Sequence, residues 1–87
     1  MLQQLPEWYL RGDAIRRDFE FKDFAQAMIF VNQLAEIAET ANHHPDIDIR
    51  YNKVTLALTS HDSGGVTKRD LNLAHQISEF YTGRRQL

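Results

Sequence analysis

Four histidines are the side chains of this chain best suited to chemistry near neutral pH, because an imidazole with an unperturbed pKa of roughly 6.5 both gives and takes a proton there. Three of them, His43, His44 and His61, stand at boundaries between periodic segments, where a scaffold presents reactive groups. His75 lies within a helical pattern, toward its polar side, and reads as a solvated histidine. His43 and His44 follow a helical run and precede Pro45, which disfavours helical geometry at His44 and sets the direction in which the chain leaves. One histidine in such a place serves simply to meet the negative end of a helix dipole and its free carbonyls. An adjacent pair, with a third at a strand end, argues for more. His61 closes a strand-like run and opens the segment Asp62-Ser63-Gly64-Gly65.

Two carboxylates are placed to support these imidazoles. Asp70 falls on the apolar side of the last helical run, among Leu73, Ala74 and Ile77, and a carboxylate there needs partners. One role is local: with Thr67 as N-cap, Asp70 occupies the third helical position, where an acid reaches back to the cap and meets the positive end of the dipole. The other is to reach across the core and orient a histidine, setting its tautomer. The two roles are compatible. Glu39, one turn before His43, either pairs with it or faces solvent. Other chemistries find less support. Adjacent histidines seldom aim both rings at one ion, His-Glu-x-x-His spacing is missing and the chain has no cysteine, so no metal is expected. Ser60, Ser63 and Ser78 lie in no nucleophile elbow. Gly64-Gly65 before a helix start hints at a phosphate cradle, but no lysine and hydroxyl residue follow at P-loop spacing.

The elements that must hold these groups are legible from periodicity. Gly12-Asp13 separates the short run Trp8-Tyr9-Leu10 from residues 14–21, where Ile15, Phe19 and Phe21 recur at odd spacing; the pattern predicts two strands and a turn. From 23 to about 41 the period becomes helical, with Phe24, Ala27, Met28, Val31, Leu34, Ala35 and Ala38 on one face. Asp23 caps this helix, with Gln26 three residues on, and Asn42 with Pro45 stops it. Residues 47–52 and 54–59 alternate strictly and form a second hairpin turning at Asn52-Lys53. Residues 67–80 return to helical spacing, capped by Thr67 and ended by Gly83. The order β-β-α-β-β-α, without βαβ alternation, predicts an α+β fold: an antiparallel four-stranded sheet with helices packed on one face.

Composition narrows the partners. With 87 residues the chain is one domain, 1–87, and 43% hydrophobic against 25% charged residues is too apolar for disorder. A net charge of −2, with basic residues scattered apart from Arg16-Arg17 and Arg84-Arg85, lacks the footprint of direct nucleic-acid binding. No stretch approaches ~20 apolar residues, and the run from Met1 to Pro6 has no basic region followed by an apolar one, so no membrane partner and a cytoplasmic location are expected. A domain this small buries little core and has no disulfide, which favours oligomerisation. Phe30, Ile37 and Ala41 widen the apolar arc of the first helix beyond the ordinary stripe of roughly 100°. A second packing partner is implied, either another helix of the chain or a second subunit, and Phe30, Leu34 and Ile37 are candidates for a subunit contact.

Taken together, Glu39-x-x-x-His43-His44-Pro45, Tyr51, His61 ten residues on and Asp70 nine further closely resemble the signature of the pterin-4a-carbinolamine dehydratase family. The resemblance extends to Phe19-Glu20-Phe21-Lys22-Asp23-Phe24 and to the stretch from Ser60 to Leu71, and spans roughly residues 8–81. Ser60 stands where threonine is usual, and about seven residues precede Trp8 where animal members carry an extra helix. The resemblance implies an antiparallel sheet with helices on one side and assembly into homodimers or homotetramers. It implies a hydro-lyase that removes water from a 4a-hydroxytetrahydropterin to give quinonoid dihydropterin, in tetrahydrobiopterin recycling. By resemblance His43, His44 and His61 are the catalytic imidazoles, which one is acid and which base being left open. Glu39 and Asp70 support them; Pro45, Ser60, Asp62 and Ser63, with the histidines, line the pterin; no metal or organic cofactor takes part. The same resemblance admits two other roles, a non-catalytic dimerisation cofactor for a transcription factor and an enzyme of another pterin, as in molybdopterin metabolism.

Overall fold

Alternation and helical spacing are converted into two hairpins and two helices in the expected order. The structure, a computed structural model, describes residues 4–86; Met1, Leu2 and Gln3, read above for a targeting signal, lie outside the described residues. Strand β1 is Tyr9–Arg11 and β2 Ala14–Glu20, joined through Gly12 at a φ of +63°, a conformation glycine adopts without penalty. Helix α1 is Phe24–Ala41, β3 Asp46–Arg50, β4 Lys53–Leu58 and α2 Lys68–Gln86, with a 3₁₀ turn His61–Ser63 between β4 and α2. The strands form one antiparallel sheet in the order β1-β2-β4-β3.

Period-two alternation gives the sheet one apolar and one polar face. Ile15, Arg17 and Phe19 of β2 pair with Leu58, Leu56 and Val54 of β4, and the six are buried under the helices. Asp18, Glu20 and Lys53, on the opposite face, are exposed. Helix α1 contributes Ala27, Phe30, Val31, Leu34 and Ala38, and α2 contributes Leu73, Ala74 and Ile77. Phe30 anchors the junction, its ring 4.9 Å from Phe19, 5.0 Å from Phe21 and 5.8 Å from both Phe80 and Tyr81. Arg17 is accommodated in this core because its guanidinium lies over Phe19 and Tyr81 at 4.6 and 5.1 Å and donates to Ser78 Oγ.

Four expectations need correction. Phe30 and Leu34 are fully buried, so the wide arc of α1 packs against the chain's own sheet and α2, and neither residue is available to a second subunit. Phe24 and Ala35 are exposed, because the buried stripe centres on Phe30, Leu34 and Ala38. The second hairpin turns at Tyr51-Asn52, one residue early: Arg50 pairs with Lys53, and Asn52 is held by Phe21, whose N–H donates to the Asn52 carbonyl while Asn52 Nδ2 donates to the Phe21 carbonyl. Ile47 and Ile49 stay on the helix side of the sheet, Ile49 half-buried and Ile47 exposed at the edge, since the shift moves their partners by two residues and leaves the faces unchanged. Finally, α2 runs through Gly83 to Gln86; Gly83 lacks the positive φ of a left-handed cap, and a single helical glycine costs only about 1 kcal/mol against alanine.

Candidate active site

The end of α1 delivers the first histidine. Asn42 takes the left-handed conformation, φ 53° and ψ 41°. Its N–H donates to the Glu39 carbonyl and that of His43 to the Ala38 carbonyl, both at 3.1 Å. These two bonds constitute a Schellman motif, so the backbone of His43 is fixed by the helix cap itself. The start of α2 delivers the carboxylate. Thr67 is the N-cap: its Oγ1 accepts from the Arg69 N–H at 3.3 Å, and Asp70 Oδ2 accepts from the Thr67 N–H at 2.8 Å, the reciprocal arrangement of a capping box.

The two caps meet at Asp70. This carboxylate is wholly buried, with Oδ1 2.5 Å from His43 Nε2 and Oδ2 accepting from Ser60 Oγ at 2.8 Å as well as from Thr67. The Thr67 hydroxyl lies 2.8 Å from Ser60 Oγ, completing a short relay. Burial pushes the Asp70 carboxyl up, but the hydrogen bonds from His43, the Thr67 N–H and Ser60, with the charge of His43, outweigh it and hold the group below its ordinary value. A charged carboxylate only accepts, so Nε2 of His43 carries the proton and Nδ1 is left with its lone pair or a second proton. The His43 side chain is 12% exposed, so the ring is gripped from behind and still reaches solvent.

The other expected site residues lie around this pair. His44 is exposed and its Nε2 is paired with Glu39, itself 75% exposed; of the two readings of Glu39, it faces solvent, and its partner there is His44 and not His43. Pro45 is half-buried, and His61, Asp62 and Ser63 are exposed. The segment that carries His61 starts at the buried Ser60, so it is anchored to the carboxylate that holds His43. Ser63 returns to the same residue through its N–H, which donates to the Ser60 carbonyl at 2.9 Å. Arg69 was not among the expected residues, yet its Nη2 donates to Asp62 Oδ1 at 2.7 Å; the seven-residue separation across a glycine pair gave no periodic signal. Among the described residues no group of three His, Cys, Asp or Glu side chains is placed to hold a metal ion.

A four-stranded antiparallel sheet backed by two helices, with an imidazole seated on a buried carboxylate where two helix caps meet, defines a small α+β protein built around an imidazole–carboxylate pair. Known proteins narrow the class to one family. The chain belongs to the family described as pterin 4 alpha carbinolamine dehydratase, whose family model matches residues 1–80. It is 54% identical over 80 residues to a protein of Thermomicrobium roseum, covering 92% of this chain and 86% of the relative. It is 59% identical over 76 residues to one of Acidobacterium capsulatum, covering 87% and 83%. Both relatives are named "Putative pterin-4-alpha-carbinolamine dehydratase". A crystal structure from Brucella melitensis, described as a transcriptional coactivator/pterin dehydratase, superposes with a TM-score of 0.84 at 38% identity, over 90% of this chain and 85% of that one.

Proposed function

We propose that this protein is a hydro-lyase that removes water from a 4a-hydroxytetrahydropterin and releases quinonoid dihydropterin, the dehydration step of tetrahydrobiopterin recycling, in the cytoplasm. The elimination breaks the C4a–OH bond and the N–H bond of the adjacent ring nitrogen: one group protonates the departing hydroxyl, another takes the nitrogen's proton, and a C=N double bond forms as water leaves. Two imidazoles of opposite protonation state suffice for this. The observation that carries the reading is the seating of His43 Nε2 on buried Asp70. A fixed counter-charge behind the ring suits His43 to the proton-taking role, because the imidazolium that forms faces a carboxylate already ionised. His61 and His44 then face the hydroxyl and the polar edge of the pterin, with Pro45, Ser60, Asp62 and Ser63 beside the ring.

Stopped-flow decay of a 4a-hydroxytetrahydropterin, with and without protein, tests the proposal. Acceleration that His43→Ala reduces by about 10² to 10⁴-fold is the expected result. An unchanged spontaneous rate in a protein that still binds a dihydropterin would move a binding role ahead. The protein is further proposed to act as a homodimer or homotetramer. Supporting this, β3 forms an edge of the sheet and Ile47 on it, like Ile29 on α1, is exposed.

A further inference from the structure

His61 is not held by Asp70 directly, and its own placement needs a cause. The base of its loop is secure: Ser60 is buried and bonded to Asp70, and Ser60 and Gly65 exchange backbone hydrogen bonds of 2.9 and 3.2 Å. The tip, residues 61–64, is exposed, and the two glycines that follow the 3₁₀ turn take φ of +78° and +159°. Such backbone has more freedom than any other residue type would allow it. Among the described residues, the side chain tying this tip to the rest of the fold is Asp62, through its 2.7 Å bond from Arg69. Arg69 stands in the first turn of α2, immediately before Asp70. Consecutive helical residues diverge by about 100°, which lets Asp70 turn inward to His43 while Arg69 reaches back over the loop.

We infer that Arg69 is a positioning residue: by clasping Asp62 it fixes the loop that carries His61, so that the first turn of α2 sets both the His43 and the His61 imidazoles against one substrate. The inference rests on the dehydratase reading above. The pair is exposed, 51% for Arg69 and 73% for Asp62, and exposed ion pairs contribute little to stability. Its effect is on geometry, where a misplacement of about 1 Å can cost 10²-fold in rate.

The test is the same stopped-flow assay on Arg69→Gln, Asp62→Asn and the double variant, with hydrogen exchange at residues 61–64. Arg69→Gln should lower kcat by about 10 to 10²-fold with little change in KM, while its melting temperature stays close to that of the wild type. Asp62→Asn, whose amide oxygen still accepts from Arg69 without the charge, should lose less, and the double variant should be no worse than Arg69→Gln, since both changes act on one tie. Arg69→Lys, which keeps the charge without the planar fork, should recover part of the loss. Exchange at 61–64 should quicken in Arg69→Gln and not in the neighbouring Lys68→Gln. Wild-type kcat in Arg69→Gln overturns the inference. So do losses that multiply in the double variant, which would mean that Arg69 and Asp62 act independently and not as one clasp. Failure of the underlying reading is recognised separately, because it shows in the wild-type protein as an unaccelerated dehydration.

Discussion

Asp70 at the residue scale has two kinds of partner, and they set opposite demands on a substitution. Oδ2 takes two donors, the Thr67 N–H and the Ser60 hydroxyl, and Oδ1 takes the His43 Nε2–H. In Asp70→Asn the amide oxygen satisfies the two donors on the Oδ2 side, which turns the NH₂ toward His43. A donor then faces Nε2, and the imidazole moves its proton to Nδ1, the wrong tautomer for a base that works through Nδ1. The variant should lose at least about tenfold in rate by stopped-flow. It should also lose about 1.5 to 3 kcal/mol in urea unfolding, the worth of a hydrogen bond to a charged group. A carboxyl held below its ordinary value stabilises the fold fully above the unfolded pKa and loses that contribution as pH falls through the folded value. The stability gap between wild type and Asp70→Asn is therefore expected at neutral pH and should close below about pH 4.

At the element scale the site is a meeting of two helix ends, and its precision depends on the caps. Asn42 supplies the left-handed residue of the α1 Schellman motif, and His43 is the next residue in the same motif. Asn42→Gly should keep stability within a few tenths of a kcal/mol, since glycine enters that conformation freely. Asn42→Val should cost about 1 to 2 kcal/mol, because a β-branched side chain crowds the following carbonyl there. The same variant should lower the dehydration rate, since the His43 N–H bond to Ala38 weakens with the cap; thermal unfolding and initial rate measured on one preparation check both. These caps were legible in the sequence: Asp23, Asn42 and Thr67 are residues whose short polar side chains or tolerance of positive φ announce a helix end. Gly83 was misleading for the converse reason, since a glycine near a periodic run is compatible with a stop without enforcing one.

Across the whole molecule, burial separates core from candidate interface. Phe30→Asp places a charge among Phe19, Phe21, Phe80 and Tyr81 and removes a fully buried ring. A loss of more than about 3 to 5 kcal/mol is expected, a large part of the ~5 to 15 kcal/mol that holds an ordinary domain, so circular dichroism should show a sharply lowered melting temperature. Ile47, 39% exposed on the edge strand β3, is the better probe of assembly. Ile47→Asp should leave the melting profile of the monomer fold intact and reduce the mass seen by light scattering from a dimer or tetramer to near 10 kDa.

Local chemistry determined much of this protein in advance. Alternation in 47–52 and 54–59, the 3.6-residue spacing of the helices and the cap residues specify an α+β order because each depends on neighbours within a few positions. The spacing of His43, His44, His61 and Asp70, matched to a family, marked these residues as the candidate site before any geometry. Tertiary structure alone decided which carboxylate serves which imidazole. Glu39 lies nearer His43 in sequence, but the αL turn at Asn42 swings the His43 ring inward to Asp70, leaving Glu39 to His44. It also decided that the arc of Phe30 and Leu34 is core, since how wide a face a helix buries depends on what packs against it. The Arg69–Asp62 clasp was invisible for the same reason: a bond across a glycine loop has no period, and only the folded path of the chain brings its ends within 2.7 Å.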